Sequence, residues 1–288
     1  MTTPATPARK QATTPAPANR EASNRSVSAK DFVRLKRSGQ KIAMLTAYDF
    51  YTARFLDQAG MDGILVGDSA NMVFYGEPTT LSITVDQMVY HTRAVARAVR
   101  RALVVADMPF MSYQVNPDEA LRNAGRFLKE SGAGAVKLEG GLPMVATVRR
   151  IIDVGIPVMG HIGLVPQSVH RFGGFAVQGR TPENRNFLKE SAQALADAGC
   201  FSIVLEAIPA DLAAEISAMI EIPTIGIGAG AGCDGQILVT NDLLGLYDEF
   251  QPRYVRRYAN LSETMKEAFG RYADDVRNGR FPGADEEY

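Results

Sequence analysis

The chain predicts an α/β fold, a closed (β/α)8 TIM barrel, on three observations. Eight short apolar runs, several rich in β-branched residues, alternate with helical patterns. Four of these runs end on an acid: Asp68 after GILVG, Asp107 after LVVA, Glu139 after AVKL and Glu206 after SIVL. The first run leads into TAYDF, without the G-x-G-x-x-G of the alternative, a doubly wound nucleotide-binding sheet.

Residues 1–27 are rich in Thr, Ala and Pro, carry one acid and have too little apolar surface to fold alone. A disordered tail is expected. The alternative, an Arg-bearing transit peptide, lacks the amphipathic period such segments show. Ser28 and Asp31 then read as a helix cap and its box partner, opening a short helix that Gly39 ends. From there to 288 one barrel domain with C-terminal helices is expected. Its strands are 42–45, 64–66, 103–106, 135–138, 158–159, 203–205, 224–227 and 236–239. Helical patterns cover 51–59, 85–100, 117–131, 142–154, 183–198 and 210–220. The last link, 228–235, is Gly-rich and too short for an ordinary helix, and its glycines suit close backbone packing. Segments 69–84 and 162–180 exceed ordinary loop length and suit covers for a site. After Gln251 an apolar stripe predicts a further helix, packed on the barrel or on a neighbouring subunit.

Composition narrows the class. With 46% hydrophobic residues in 288 positions, a sizeable core is available. A net charge of −1 supplies no field for nucleic acid or an anionic membrane. No apolar run approaches the roughly 20 residues that span a bilayer. Cys200 and Cys233 are far apart and form no C-x-x-C, so a reducing cytoplasm is expected.

The acids carry the chemistry. Carboxylates at the C-terminal ends of barrel strands converge on one mouth. There they repel one another unless a cation intervenes, and oxygen ligands suit a hard ion such as Mg²⁺. A single strand-end Asp is often only a turn residue or cap. Asp68 and Asp107 together with Glu139 favour a metal site. In AVKLEGG the strand period puts Val136 and Leu138 on one face and Lys137 and Glu139 on the other, pointing inward. The pair is then either a structural ion pair or a place for a substrate anion (Lys137) beside a metal (Glu139). Glu206, among apolar neighbours, suits a proton-transfer role; the alternative is a cap for the helix near Pro209. Of the histidines only His161 has a strand-end address. No zinc-type Cys/His spacing occurs.

The segments MLTAYD, LVGDS, YHT, ADMPF, VKLEGG, GHIGLVPQSV, FGGFAVQGR, VLEAIP, IPTIGIGAG, DGQILV, FQPRYVRRYANL and NGRFP, in this order, resemble the ketopantoate hydroxymethyltransferase family from about residue 28 to 282. The resemblance implies a (β/α)8 barrel of the phosphoenolpyruvate/pyruvate type. It implies transfer of a hydroxymethyl group from 5,10-methylenetetrahydrofolate to 3-methyl-2-oxobutanoate through a Mg²⁺-stabilised enolate, giving 2-dehydropantoate on the way to pantothenate. By motif, Asp68 and Asp107 correspond to Mg²⁺ ligands that also meet the keto acid, with Glu139 supporting the metal. Ser69 and Lys137 correspond to keto-acid contacts, His161 to the partner of the product hydroxyl, and Glu206 to the general base. Ring-like homo-oligomers, commonly decamers, are also implied. Asn71 stands where the family commonly has Gly, and Glu77 where it often has His; the metal and base positions are intact. Two other readings compete. A lyase or mutase of the same superfamily would need a mouth-loop Cys; Cys233 is expected at the mouth end but lacks the flanking residues of that motif. A non-catalytic binding barrel would have little need for the five charged residues together.

Overall fold

The computed structural model describes residues 25–174, 176–247 and 251–288. Its eight strands pair in sequence order and close into a barrel: β1 (Ile42–Thr46), β2 (Gly63–Val66), β3 (Leu103–Asp107), β4 (Ala135–Lys137), β5 (Val158–Gly163), β6 (Ser202–Glu206), β7 (Thr224–Ile227) and β8 (Gly235–Leu238). Every pairing is parallel, including β8 back to β1. Parallel neighbours need a crossover, and helices supply it. Helix α1 (Ala29–Arg37) precedes the barrel and α2 (Phe50–Gln58) follows β1. After β2 come α3 (Ala70–Val73) and α4 (Val85–Ala98), after β3 α5 (Pro117–Arg126), and after β4 α6 (Val145–Ile152). After β5 come α7 (Val169–Phe172) and α8 (Pro182–Asp197), and after β6 α9 (Ala210–Met219). Helices α10 (Thr240–Leu243) and α11 (Leu261–Arg277) follow β8. No helix joins β7 to β8, as the short link requires. Ideal Cβ atoms at Gly230 and Gly232 in that link would stand 2.5 and 2.7 Å from the Cβ atoms of Ala210 and Ala214 on α9, so the backbone packs flush there.

Several boundaries differ from the sequence expectation. Strand β5 runs on through Gly160 to Gly163, so His161 lies inside the strand rather than past its end. Two glycines and a histidine hid the extension from an apolar count. The pattern at 117–131 is α5 plus a single wider π-helical turn, Phe127–Ser131. Helices α3, α7 and α10 have four residues each, too few to show a period. Cys233 lies just before β8, at the end of the barrel away from the strand-end acids, where its carbonyl accepts from Lys41 Nζ at 2.5 Å. It is not on the mouth side, because the 228–234 link descends the full height of the barrel.

Alternation along each strand divides the core in two. Leu65, Val105, Ala135, Met159, Val204 and Ile225 belong to the cluster inside the barrel. Their neighbours Val66, Ala106, Val136, Leu138, Ile203 and Leu205 pack outward with the helices. The inward parity continues to the strand ends and places Asp107, Lys137, Glu139, His161 and Glu206 over the inner cluster. From below, α1 closes the floor. The Asp31 carboxylate accepts from the Ser28 amide at 2.9 Å and the Ser28 hydroxyl at 2.7 Å, and this start aims Phe32 into the barrel. Phe32 is fully buried and meets Phe201 edge-on at 5.6 Å. Residues 1–24, and with them most of the expected tail, lie outside the described residues. Within its last part, the Val27 amide donates to the Arg101 carbonyl at 2.6 Å, so the floor already engages Val27 before Ser28. Among the described residues no helix is long and apolar enough to cross a membrane.

Because Phe32 fills the barrel floor, Phe32→Ala is expected to lower the unfolding free energy by about 3–5 kcal/mol, read from urea midpoints. A loss no larger than that of an exposed substitution would show that α1 merely lies against the barrel.

Candidate active site

The C-terminal ends of β2 to β6 bring the expected site residues into one mouth. Register sets the first contact: Asp107 is the direct neighbour of Lys137 across the β3–β4 pair. Both side chains point inward, and Lys137 Nζ donates to both Asp107 oxygens at 2.8 Å. Glu139, two residues on, lies 3.7 Å from the same ammonium. His161 on β5 stands between two acids, with Nδ1 3.4 Å from Glu139 Oε1 and Nε2 3.3 Å from Glu206 Oε2. Neither ring contact has hydrogen-bond alignment: both ring nitrogens and Glu139 Oε1 are buried without a hydrogen-bond partner. Asp68, after β2, adjoins Asp107 through its amide, which donates to Asp107 Oδ2 at 3.3 Å. Ser69 Oγ pairs with the Tyr48 hydroxyl at 2.8 Å. The mouth thus assembles all seven expected residues.

Glu206 is the least buried of the four acids, its side chain 15% exposed, so its carboxylate is open to a ligand. It does not cap the following helix: Pro209 occupies the cap position of α9, and no side chain bonds there. Instead the chain turns sharply, with Ala207 in the left-handed region at φ +47°. An L-residue there costs about 1–2 kcal/mol. The turn is held by the Ala207 amide on the Ile227 carbonyl at 2.9 Å, and by the Gln178 amide on the Ala207 carbonyl at 3.0 Å. Opposite it, Gly163 adopts φ +101°, and a Cβ at that position would collide with the Glu206 carbonyl oxygen. The strain is concentrated where Glu206 leaves its strand, as at other functional sites.

Three polar residues of the site carried no marked signal in the sequence. Gln167, in the segment after β5, donates from Nε2 to Asp68 Oδ2 at 2.9 Å and from its amide to Glu139 Oε2 at 3.0 Å. The Tyr113 hydroxyl accepts from the Glu139 amide at 3.1 Å, and Tyr48 braces Ser69. Gln167 stood in a segment expected to cover the site, but a lone amide in a loop resembles any solvated residue. The segment after β2 is held by Asn71, whose Nδ2 donates to the Thr79 carbonyl at 2.7 Å and to Ser82 Oγ at 2.9 Å, while its carbonyl accepts from the Glu77 amide. A glycine at 71 would lack both side-chain bonds. The other histidines lie apart: His91 bonds the Tyr48 carbonyl from Nδ1 at 2.8 Å, and His170 is exposed on α7.

Burial makes the electrostatics strong. The Asp68 carboxyl is pushed well above its usual range, first by burial, then by Asp107 and Glu139. Asp107 is also raised by burial, against the pull of Lys137. Burial works against a charged Lys137, but Asp107, Glu139 and Asp68 outweigh it and hold the ammonium protonated. Glu139 is lowered: burial opposes ionisation, and His161 and Lys137 overcome it. One ammonium cannot balance these acids, and Asp68 bears the excess.

A hard cation fits this donor set. Among the described residues no group of three or more His, Cys, Asp or Glu side chains stands ready to enclose an ion. Asp68, Asp107 and Glu139 are therefore not a preformed three-acid shell. Mg²⁺ needs no such cage, since one or two carboxylates plus substrate and water oxygens serve it. Asp68 and Asp107 are adjacent, oxygen-only and over-charged, and Glu139 has an unpartnered buried oxygen behind them.

For His161, burial and Lys137 disfavour the charged ring, and the flanking carboxylates of Glu139 and Glu206 outweigh them, raising its pKa from 6.5 to about 9. A ring raised in this way adds stability that is full below its ordinary value and lost as pH rises through about 9. In the metal-free protein the His161 imidazole, assigned by comparison with His161→Gln, is expected to titrate near 9 by NMR. A midpoint at or below the ordinary value would mean that the flanking acids do not control the ring.

Comparison with known proteins agrees with the geometry. The family model for ketopantoate hydroxymethyltransferase matches residues 26–284. A 3-methyl-2-oxobutanoate hydroxymethyltransferase of Prosthecochloris aestuarii is 60% identical over 88% of this chain and 93% of its own length. The enzyme of that name from Flavobacterium johnsoniae is 53% identical over 91% and 96%. Among solved structures, 2,3-dimethylmalate lyase, a PEP mutase/isocitrate lyase superfamily member, superposes with a TM-score of 0.59 at 19% identity, covering 91% of each chain. Phosphoenolpyruvate phosphomutase of Streptomyces platensis gives 0.58 at 15% identity, covering 88% of each. These two share the fold, whereas the matches in sequence run through every element of the mouth: the chain belongs to the ketopantoate hydroxymethyltransferase family.

Proposed function

We infer that this chain works as a 3-methyl-2-oxobutanoate hydroxymethyltransferase of pantothenate biosynthesis, taking the one-carbon unit from 5,10-methylenetetrahydrofolate, with Glu206 as base and Asp68 and Asp107 as Mg²⁺ ligands. One observation carries the assignment of roles. A partly open carboxylate, Glu206, and an over-charged acid pair, Asp68 and Asp107, share one barrel mouth, with Lys137 and His161 between them.

The residues divide the work by charge. Lys137 is held cationic and faces the acids, so it can draw the keto-acid carboxylate toward Asp107. Ser69, braced by Tyr48, offers a hydroxyl at the same edge. Bound at Asp68 and Asp107, with Glu139 in support, Mg²⁺ supplies Lewis-acid stabilisation of the charge that develops on the substrate oxygens when C3 loses its proton. Glu206 takes that proton. The C3 carbon can then attack the one-carbon unit, whose two bonds to the folate nitrogens are replaced by the bond to C3 and a bond to the oxygen of a water, while tetrahydrofolate leaves carrying the proton from C3 and one from the water. His161, beside Glu206, is placed to donate to the hydroxyl of the product. The mouth-side Cys that the lyase and mutase reading needs is absent from these residues, since Cys233 is buried at the floor. Both cysteines are buried and free, in keeping with a reducing cytoplasm. A homo-oligomer, a decamer by family resemblance, is part of the same reading.

The direct test is proton NMR of 3-methyl-2-oxobutanoate in D₂O with the protein, with and without Mg²⁺ and without folate. Mg²⁺-dependent loss of the C3 proton signal is expected, and its absence would count against enolisation in this mouth. Glu206→Gln should retain keto-acid binding and slow the exchange by about 10²–10⁴-fold; undiminished exchange would remove Glu206 as base. Asp68→Asn deletes the carboxylate with excess charge. The metal-free variant should melt at or above the wild-type temperature, while Mg²⁺ no longer raises its melting point. A wild-type response to Mg²⁺ in this variant would exclude Asp68 as a ligand.

A further inference from the structure

Gln167 touches two members of the acid cluster, Asp68 and Glu139, although it comes from the segment after β5 rather than from a strand. It is buried, at 5% exposure. Its Nε2 donates to Asp68 Oδ2 at 2.9 Å and to the Met108 carbonyl at 3.0 Å. Its Oε1 accepts from the Tyr113 hydroxyl at 2.6 Å and from Gln114 Nε2 at 3.0 Å. Its backbone amide donates to Glu139 Oε2 at 3.0 Å.

These contacts admit one orientation of the amide. The Met108 carbonyl can only accept, so the atom facing it is the NH₂ group. The same NH₂ therefore presents its second hydrogen to Asp68. On the far side, the Tyr113 hydroxyl already accepts from the Glu139 amide, which leaves its hydrogen for Gln167 Oε1. The chain of bonds runs from the Glu139 amide through Tyr113 and Gln167 to Asp68 Oδ2. Occupying that lone pair fixes the rotation of the Asp68 carboxyl, and the backbone bond fixes Glu139 at the same time. Among the described residues Asp68 has no cationic side chain in hydrogen-bond contact, unlike Asp107, which Lys137 holds at 2.8 Å. Gln167 is the side-chain donor that orients it.

We propose that Gln167 is a positioning residue that presets Asp68 and Glu139 for cation binding, with Tyr113 fixing its amide. The proposal rests on Asp68 being a Mg²⁺ ligand, as argued above. Outer hydrogen bonds of this kind orient metal ligands, and their loss weakens metal affinity by about 10–100-fold.

The test is calorimetric titration of Mg²⁺ alone into the metal-free full chain, for the wild type, Gln167→Met and Tyr113→Phe. Met keeps the length of Gln167 but neither donates nor accepts strongly. Gln167→Met should bind Mg²⁺ about 10–100-fold more weakly, and excess Mg²⁺ should restore its C3-proton exchange. Tyr113→Phe keeps the ring packing and should weaken Mg²⁺ in the same direction by less. It decides the matter if Gln167→Met does not fold. Wild-type affinity in the folded variants would overturn the proposal while leaving the metal reading intact. Failure of the wild type to take up Mg²⁺ would overturn the metal reading, and the proposal with it. A residue serving stability alone would lower the melting temperature without changing Mg²⁺ affinity or its rescue.

Discussion

The ammonium of Lys137 is what allows several carboxylates to share a dry barrel mouth. Removing charge from water costs several kcal/mol per ion, and the cost is recovered only with close partners. Asp107 has such a partner through two bonds at 2.8 Å, and Glu139 has a weaker claim on the same charge at 3.7 Å. Asp68 is left over. The imbalance follows from strand order: Asp107 and Lys137 are register neighbours, whereas Asp68 stands one strand further away. A site that is neutral only with a guest is selective for a cation from its own electrostatics, before any coordination geometry is considered.

The barrel framework supports this by keeping everything beneath the mouth apolar and filled. The inner cluster rises from Phe32 on α1 through Ala135, Met159 and Val204 to the first charged layer. The side chains packed directly below the acids are apolar and buried, so the mutual effects of the acids remain large. The strained Ala207 turn and the Gly163 contact serve the opposite need, holding Glu206 at the lip, where a substrate can reach it.

Much of this was readable in the amino-acid order, for a physical reason. Parallel strands buried on both faces need continuous apolar runs, so a polar residue ending a run is conspicuous, and in a closed barrel all run ends face the same side. Asp68, Asp107, Glu139 and Glu206 were therefore visible as a group. The alternation K-L-E separated Lys137 and Glu139 from Leu138 without further information. What escaped depends on contacts between distant segments. Gln167 meets Asp68 across 99 positions of sequence, and no local pattern encodes that meeting. The extension of β5 through His161 is stabilised by pairing with Val204 and Glu206 on β6, not by the composition of its own Gly-rich residues. Cys233 was misplaced because the descent of the 228–234 link is decided by the barrel's closure rather than by its own sequence.

The helix-free link between β7 and β8 has a consequence for how the cylinder breathes. These strands share two register pairs, Ile225 with Gly235 and Gly226 with Gln236, and Gln236 is exposed. Elsewhere a crossover helix backs the joint between successive strands; here the wall has a seam. Local opening starts where few apolar contacts shield the backbone bonds. The Asp107–Lys137 pair rides on β3 and β4, across the barrel from that seam, whereas Glu206 on β6 adjoins β7. Amide protons at the β7–β8 joint are then expected to exchange ahead of those on β3, which has three or more register pairs on each side and a crossover helix before and after it.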